Sequence, residues 1–140
     1  MSTDSTKSKI TFQPIGIIHT PFSKTQNMPR QPYMDSGTKG TIEIFSEFQE
    51  GLEGLKAGNK IVLIFNFHLS NNYNLKVIPF RQTELKGVFA TRAPHRPNAI
   101  GLSIVNLNKI ENNLLHISNI DMIDGTPLLD IKPFIEDRMM

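Results

Sequence analysis

Two short segments of the sequence carry side chains able to bind a charged ligand or a nucleobase, and the first runs from Arg92 to Asn98. It offers two guanidinium groups, an imidazole and an amide, on Arg92, His95, Arg96 and Asn98. A guanidinium binds carboxylate or phosphate oxygens through two parallel hydrogen bonds. The prolines at 94 and 97 restrict the backbone and oppose regular structure. We therefore predict a stiff loop that presents these groups to a ligand, with a surface turn that holds Arg92 in a salt bridge as the alternative.

The second segment is the run from Asp124 to Pro127, which reads DGTP. It combines an acid, a flexible glycine, a hydroxyl and backbone amides, and these groups suit it to hold polar parts of a ligand. An ordinary β-turn before the last strand is the alternative, because Asp-Gly is a common turn dipeptide. His68 ends an apolar strand, but no spacing among the four histidines predicts a metal site. The absence of cysteine excludes disulfides, thiolate metal ligands and cysteine nucleophiles.

The elements that must position these segments are predicted to be short strands, because β-branched and aromatic runs alternate with turn residues. The predicted strands are residues 15–19, 40–45, 60–67, 75–80, 87–91, 101–107, 114–120 and 129–133, and Asn112-Asn113 predicts a two-residue hairpin turn. The one helical candidate is 46–55, with Ser46 as its cap, Gln49 completing a capping box and Gly58 beyond its end. This pattern predicts a mainly β fold, a single small antiparallel β-barrel with one short helix and long functional loops, since closure removes exposed strand edges.

The bulk composition is that of one folded domain. Of the 140 residues, 39% are hydrophobic and 20% are charged, and no apolar run is long enough to cross a bilayer. Residues 1–9 are polar and lack the apolar stretch of a signal peptide, so we expect a loose tail at 1–9, a barrel domain at 10–140 and a cytoplasmic protein. The net charge of +2 only weakly indicates a polyanionic partner. The basic residues that gather in one region, where a solvated face is the alternative, are Lys76, Arg81, Lys86, Arg92 and Arg96.

The sequence resembles the TsaA/TrmO family. Residues 90–103 read ATRAPHRPNAIGLS, where members of the family usually have ATRSPHRPNPIGLS. Four further blocks match the family in order: GIIHTPF at 16–22, PRQ at 29–31, LIFNFH at 63–68 and DGTPLLDIKP at 124–133. Three positions depart from the usual pattern, where Ala93 replaces serine, Ala99 replaces proline and Phe134 replaces tyrosine.

The resemblance implies a β-barrel that binds S-adenosylmethionine (S-adenosyl-L-methionine) and works as a homodimer with the cofactor near the subunit interface. It implies methylation of N6 of threonylcarbamoyl-adenosine at position 37 of transfer RNA (tRNA), in the anticodon loop, where the base is already unpaired. The cofactor-binding residues carried over from the family are Pro29, Arg30, Gln31, His68, Leu69, Arg92, Leu102, Asp124, Gly125, Thr126 and Pro127. We expect the RNA to be contacted by His95, Arg96 and Asn98.

Several points stay open in the sequence. His68, His95 and Asp124 are all candidates to accept the N6 proton, and no catalytic residue is assigned. The aromatic residues that could stack on the target base are Tyr33, Phe65 and Phe67. The strand around Ile61 to Phe65 is apolar on both faces, so its outer face should be covered by the helix or by a second subunit. The alternative functions are a methyltransferase for another substrate and a cofactor-binding module without turnover.

Overall fold

Six strands form a closed antiparallel barrel. The computed structural model describes residues 8–23 and 37–136. The barrel strands are β1 (Gly16–His19), β2 (Lys39–Ile44), β3 (Lys60–Asn66), β6 (Ile100–Glu111), β7 (Leu114–Ser118) and β8 (Thr126–Pro133). A separate two-stranded hairpin is made by β4 (Lys76–Val77) and β5 (Lys86–Gly87). The order around the barrel is β1-β2-β7-β6-β3-β8, and the predicted β-barrel fold is confirmed.

The interior of the barrel is filled by alternate residues of its strands, as strand geometry requires. On β3 these residues are Ile61, Leu63 and Phe65, and the register places Leu63 opposite Ser103 and Phe65 opposite Gly101 of β6. Branched aliphatic side chains dominate the remaining core, which includes Ile18, Ile42, Val105, Leu107, Leu115, Ile117 and Leu128. One continuous apolar core therefore lies inside the barrel.

The outer face of β3 is also apolar, as the sequence predicts. Val62 is completely buried on this face, whereas Ile64 is only partly buried and lies opposite Leu102 of β6. Leu102 and Ile100 remain 36% and 39% exposed, so these outer residues form an apolar surface on the barrel wall. The helical segment does not cover that surface, because its side chains Phe48 and Leu52 pack against the interior core.

The predicted helix at 46–55 is a 3-10 helix that runs from Ser46 to Leu52. Phe45 occupies the cap position and no side chain caps the helix, so the predicted capping box with Ser46 and Gln49 is wrong. The helix ends at Leu52, with Glu53 as its C-cap, rather than at the predicted Leu55. Apolar contacts decided the geometry, since Phe48, Leu52 and Leu55 must all reach the same end of the core within a short segment.

The two strands predicted between β3 and β6 are mostly wrong. Residues 75–80 contain only the two-residue strand β4, because Pro79 has no N–H to donate to a strand ladder. Residues 87–91 fold into a 3-10 turn over Val88–Ala90, in which the Thr91 hydroxyl donates to the Val88 carbonyl oxygen at 2.8 Å. The rest of the barrel follows the predictions, although β6 extends to Glu111 and β8 begins at Thr126.

The predicted hairpin turn at Asn112-Asn113 is confirmed between β6 and β7. Asn112 has a φ of 55°, a conformation that asparagine tolerates better than most residues. The Asn113 side-chain amide donates to the Ile44 carbonyl oxygen at 2.8 Å and links the turn to β2. No helix within residues 8–23 and 37–136 is long and apolar enough to cross a membrane.

Candidate functional site

The strand directions bring most of the predicted site residues to one end of the barrel. At this end, which we call the site end, β1, β3 and β7 finish while β2, β6 and β8 begin. The connections that leave from it are residues 20–38, 67–99 and 119–125. Within the described part of the chain, every predicted site residue except Leu102 lies on one of these connections or at the start of β8.

The loop after Thr91 is held by its own side chains. The Arg96 guanidinium Nη1 donates to the carbonyl oxygens of Thr91 and Ala93, both at 3.0 Å. The Thr91 hydroxyl accepts from the Ala93 N–H at 3.2 Å, and the Arg96 N–H donates to the Pro94 carbonyl oxygen at 3.0 Å. The predicted stiff loop therefore has four internal hydrogen bonds in addition to its two prolines.

Arg92 and Arg96 have different environments in this loop. Arg96 is partly buried and its guanidinium is turned toward backbone carbonyls, whereas Arg92 is exposed. Within the described residues Arg92 has no ion-pair partner, so the alternative of a salt-bridged surface turn gains no support there. An exposed guanidinium on a fixed backbone is well suited to bind an anionic group.

Two contacts join the loop to the segment that follows β3. The Phe67 N–H donates to the Ala99 carbonyl oxygen at 2.8 Å, and the Asn66 side chain donates to the same oxygen at 3.0 Å. Further out, the Ser70 hydroxyl and the His95 Nδ1 are 2.7 Å apart. The structure therefore places His68 and Leu69, both exposed, next to the loop that carries Arg92. Asn98 is also exposed, and its carbonyl oxygen accepts from the Ile100 N–H at 2.7 Å.

The Asp124 to Pro127 turn packs against the end of β1. The Asp124 carboxylate Oδ1 accepts from the Thr20 N–H at 3.0 Å and lies 3.6 Å from the His19 Nδ1. The backbone N–H of Asp124 donates to the Phe22 carbonyl oxygen, and the backbone N–H of Gly125 donates to the Ile18 carbonyl oxygen. Gly125 has a φ of 88°, where a side chain would be strained. The turn is thus a fixed wall of the site end, beside the chain that leaves β1.

Some predicted residues do not lie in this group. Leu102 is on the outer face of the barrel, opposite Ile64, and not on the inner face that carries Gly101 and Ser103. The run Pro29-Arg30-Gln31 and Tyr33 fall outside the described residues. Phe65 and Phe67 lie with their ring centroids 5.3 Å apart in an edge-to-face arrangement, but Phe65 is buried in the core, so of these two candidates only the partly buried Phe67 could stack on a base. A Cβ at Gly101 would lie 2.5 Å from the Phe65 ring, so glycine is what permits this pair beside β6.

Sequence reasoning missed one polar pair at the site end. The Ser103 hydroxyl, which is buried, donates to the Asp121 carboxylate Oδ1 at 3.1 Å. Burial raises the pKa of the Asp121 carboxyl above its ordinary value, and the hydrogen bond from Ser103 opposes this rise. The only signal in the sequence was an acid within the otherwise apolar run from Ile120 to Ile123.

The opposite end of the barrel offers a different surface. An open groove of about 620 Å³ lies there, and its lining includes Glu47, Glu50 and Glu53. Such an acidic lining disfavours a phosphate or a carboxylate, so the groove does not compete with the site end as an anion site. Within residues 8–23 and 37–136, no group of three or more histidine, aspartate or glutamate residues is placed to hold a metal ion.

Comparison with known proteins identifies the family. Residues 17–138 match the family model of the tRNA-methyltransferase O N-terminal domain. The chain belongs to this family. The resemblance drawn from the sequence motifs is thereby confirmed.

The relatives include proteins from archaea, bacteria and mammals. A Pyrococcus abyssi protein described as a probable S-adenosyl-L-methionine-binding protein is 46% identical over 91% of this chain and 70% of its own length. The tRNA (adenine(37)-N6)-methyltransferase of Mus musculus is 42% identical over 89% of this chain. The crystal structure of TrmO from Pseudomonas aeruginosa has 39% identity and a TM-score of 0.80, and covers 95% of this chain. This chain spans 31% of the mouse protein and 59% of the bacterial one.

Proposed function

We propose that this protein is an S-adenosylmethionine-dependent methyltransferase that modifies N6 of adenine 37 in tRNA, with threonylcarbamoyl-adenosine as the target nucleoside. Membership of the family and the activity for which the mouse relative is named support the reaction type. The observation that carries the proposal is that three matched motifs share one barrel end, and that one of them carries an exposed Arg92 on a loop held by its own hydrogen bonds. The cytoplasm is the proposed location.

The residues at the site end fit the chemical groups of the cofactor. Arg92 would bind the carboxylate of the amino-acid part, since its guanidinium has no partner among the described residues. The exposed carboxylate oxygens and backbone groups of the Asp124 turn would accept hydrogen bonds from the ammonium or the ribose. When bound, the cofactor supplies an activated methyl group. The protein's own task is to orient both reactants and exclude water, and alignment contributes up to roughly 7–11 kcal/mol in the best cases.

The test of cofactor binding is Arg92→Ala, measured by calorimetry. Loss of one partner of a desolvated charge pair costs about 2–5 kcal/mol, so affinity for S-adenosylmethionine should fall by at least roughly 30-fold. Lys56→Ala removes an exposed cation at the opposite end and should leave the affinity unchanged. Equal affinities of the wild type and Arg92→Ala would remove Arg92 from the site.

The test of the reaction is mass spectrometry of the nucleoside at position 37. Threonylcarbamoylated tRNA, unmodified tRNA and a tRNA lacking adenine 37 are each incubated with the protein and the cofactor. A gain of one methyl group only in the first would support the proposed target nucleoside. Methylation of the unmodified tRNA alone would support the reaction but make unmodified adenosine the target. No methylation of any of the three RNAs would favour a different substrate.

The tRNA surface is proposed to be the excursion from residue 68 to residue 99, which continues from the site end. It carries five lysine and arginine residues against one acid, whereas the rest of the chain carries ten against twelve. Within the described residues Lys76, Arg81 and Lys86 form no ion pair. These three are therefore better candidates for phosphate contacts than Arg96, whose guanidinium already binds its own loop.

Salt dependence tests this surface. Each phosphate contact contributes about 0.7–0.9 to the slope of log affinity against log salt concentration. The double variant Lys76→Ala/Lys86→Ala should therefore lower the slope by about 1.4–1.8 if both residues bind phosphates. Lys56→Ala is the matched control, and an RNA affinity that ignores salt would argue against this surface.

A homodimer is the proposed assembly, because two exposed apolar surfaces have no cover within the described residues. One is the outer barrel wall at Ile64, Ile100 and Leu102, and the other is the excursion, where Leu75, Ile78, Leu85 and Phe89 are 56–77% exposed. Large exposed apolar side chains that gather on a surface favour a protein interface. The position of Leu102 on the outer wall supports a cofactor site that a second copy completes.

Light scattering tests the assembly. The wild type should have the mass of two chains at micromolar concentration, and Ile100→Glu should shift it toward one chain by placing a charge in the interface. Lys109→Glu changes a charge on the same strand away from the apolar wall and should leave the dimer intact. A wild-type mass of one chain would contradict both the dimer and the shared site.

A further inference from the structure

Asp121 occupies a position that the proposed cofactor and RNA contacts leave unused. It lies on the connection between β7 and β8, three residues before the Asp124 turn, and is partly buried at the site end. Its neighbours Ile120 and Met122 are both buried in the barrel core. The carboxylate is therefore held close to the interior of the barrel and not on an outer surface.

Ser103 fixes the direction of this carboxylate. Its side chain is buried on the inner face of β6, opposite Leu63, and it donates to Asp121 Oδ1. Within the described residues Asp121 has no lysine, arginine or histidine partner. A partly desolvated carboxylate without a counter-ion destabilises the fold more than a neutral amide at the same position would. Its presence therefore indicates that it binds a ligand.

The surroundings indicate which ligand it is. Two positions before Ser103, on the same face of β6, Gly101 leaves room for the rings of Phe65 and Phe67. Phe65 is buried in the core, whereas Phe67 is only partly buried and can offer its ring to a flat aromatic group. A carboxylate accepts only from N–H or O–H donors. Adenine combines both properties, since it has a stacking ring and an exocyclic amino group with hydrogens to donate.

We propose that Asp121, oriented by Ser103, accepts a hydrogen bond from the 6-amino group of an adenine bound at the site end. This inference rests on the proposed function, which supplies two adenines, one in the cofactor and one at position 37 of the RNA. The cofactor adenine has two N6 hydrogens and threonylcarbamoyl-adenosine keeps one, so both can donate from N6 to Asp121, and the experiment below separates them.

The experiment reverses the hydrogen-bond direction at the purine 6-position. Calorimetry compares S-adenosylhomocysteine with S-inosylhomocysteine, whose 6-oxo group accepts where the amino group donates. A second comparison uses synthetic anticodon stem–loops with adenosine or inosine at position 37. The wild type should prefer adenine, and Asp121→Asn, whose amide can donate to the 6-oxo group, should change the affinity ratio in one of the two pairs at least about tenfold toward inosine.

The outcomes are distinct. A changed ratio for the homocysteine pair assigns Asp121 to the cofactor adenine, and a changed ratio for the stem–loops assigns it to the target adenine. Equal loss of affinity for both members of each pair would indicate a structural role and overturn the inference, as would an unchanged ratio in both pairs. Ser103→Ala, which keeps the carboxylate but loses its donor, should weaken the preference without reversing it. Asp130→Asn removes a carboxylate ion-paired to Lys132 and should have no effect.

If the proposed function itself is wrong, the result looks different. A wild-type protein that binds S-adenosylhomocysteine but neither stem–loop would contradict the RNA substrate alone, and one that binds neither class of ligand would contradict the cofactor as well. Failure of the inference alone leaves the wild-type affinities in place and changes only the response of Asp121→Asn.

Discussion

Arg96→Ala should loosen the loop that carries Arg92. The substitution removes two hydrogen bonds, from the guanidinium to the carbonyl oxygens of Thr91 and Ala93, each 3.0 Å long. Hydrogen bonds from a charged donor contribute about 1.5–3 kcal/mol each, but the partial exposure of Arg96 favours a lower value of about 1 kcal/mol. The loop should therefore lose about 2 kcal/mol of local stability, and its open state should become roughly 30-fold more populated.

Hydrogen exchange read by mass spectrometry measures this opening directly. Peptides that cover residues 88–100 should exchange faster in Arg96→Ala, because the N–H groups of Ala93 and Arg96 are bonded inside the loop. Arg92→Ala is the matched control, since it removes the same charge from the same loop without removing a described hydrogen bond. Its exchange should stay within about twofold of the wild type, the size of an ordinary surface effect.

The affinity for the cofactor extends the same argument. Because Arg92 depends on this loop for its position, Arg96→Ala should also weaken binding of S-adenosylmethionine, and Arg96→Lys should restore it only in part, since an ammonium lacks the planar fork. Equal exchange rates in Arg92→Ala and Arg96→Ala would refute the reasoning. The two prolines would then be sufficient to hold the loop, and Arg96 would be available to RNA.

Two further predictions concern the barrel itself. Gly101→Ala should destabilise the protein by about 1–3 kcal/mol in urea denaturation, because the new Cβ would lie 2.5 Å from the Phe65 ring. Gly87→Ala is the control and should change stability little, since the nearest atom to its Cβ would be 4.0 Å away. Asp121→Asn should gain stability relative to the wild type as pH rises. Burial raises the pKa of Asp121 in the folded state. The free energy of unfolding of the wild type therefore decreases as the pH rises from 3.8, the ordinary aspartate pKa, to the pKa in the folded state. The variant shows no such decrease. A difference between the two proteins that is equal at pH 3 and pH 7 would contradict this.

The barrel could be predicted because its strands are apolar at alternate positions and end at clear turn residues. β3, β7 and the Asn112 hairpin follow from local pattern alone. The helix geometry and the residues around β4 and β5 could not be predicted in this way. The capping residues at 46–55 favour an ordinary helix, but the tertiary contacts of Phe48 and Leu52 outweigh them.

The sequence predicts which residues belong to the candidate site but not how they are arranged in space. Motifs named Arg92, Asp124 and His68, while only the strand directions show that they share one end of the barrel. The different environments of Arg92 and Arg96 were not predictable, because both are arginines in one short loop and only the folded backbone presents carbonyls to one of them. Asp121 could not be predicted as a site residue, because neither its type nor its spacing shows that Ser103 donates a hydrogen bond to it.

The last strand has a consequence for how the protein is made. β8 pairs with β3 on one side and with β1 on the other, so it closes the barrel between the first strand and the third. During synthesis the earlier strands leave the ribosome with two open edges that can pair with other chains. The bond between Asp124 and Thr20 spans 104 positions and cannot form in that interval. The nascent chain is therefore most prone to aggregate just before β8 emerges, and the contact between β1 and the Asp124 turn at the site end is among the last to form.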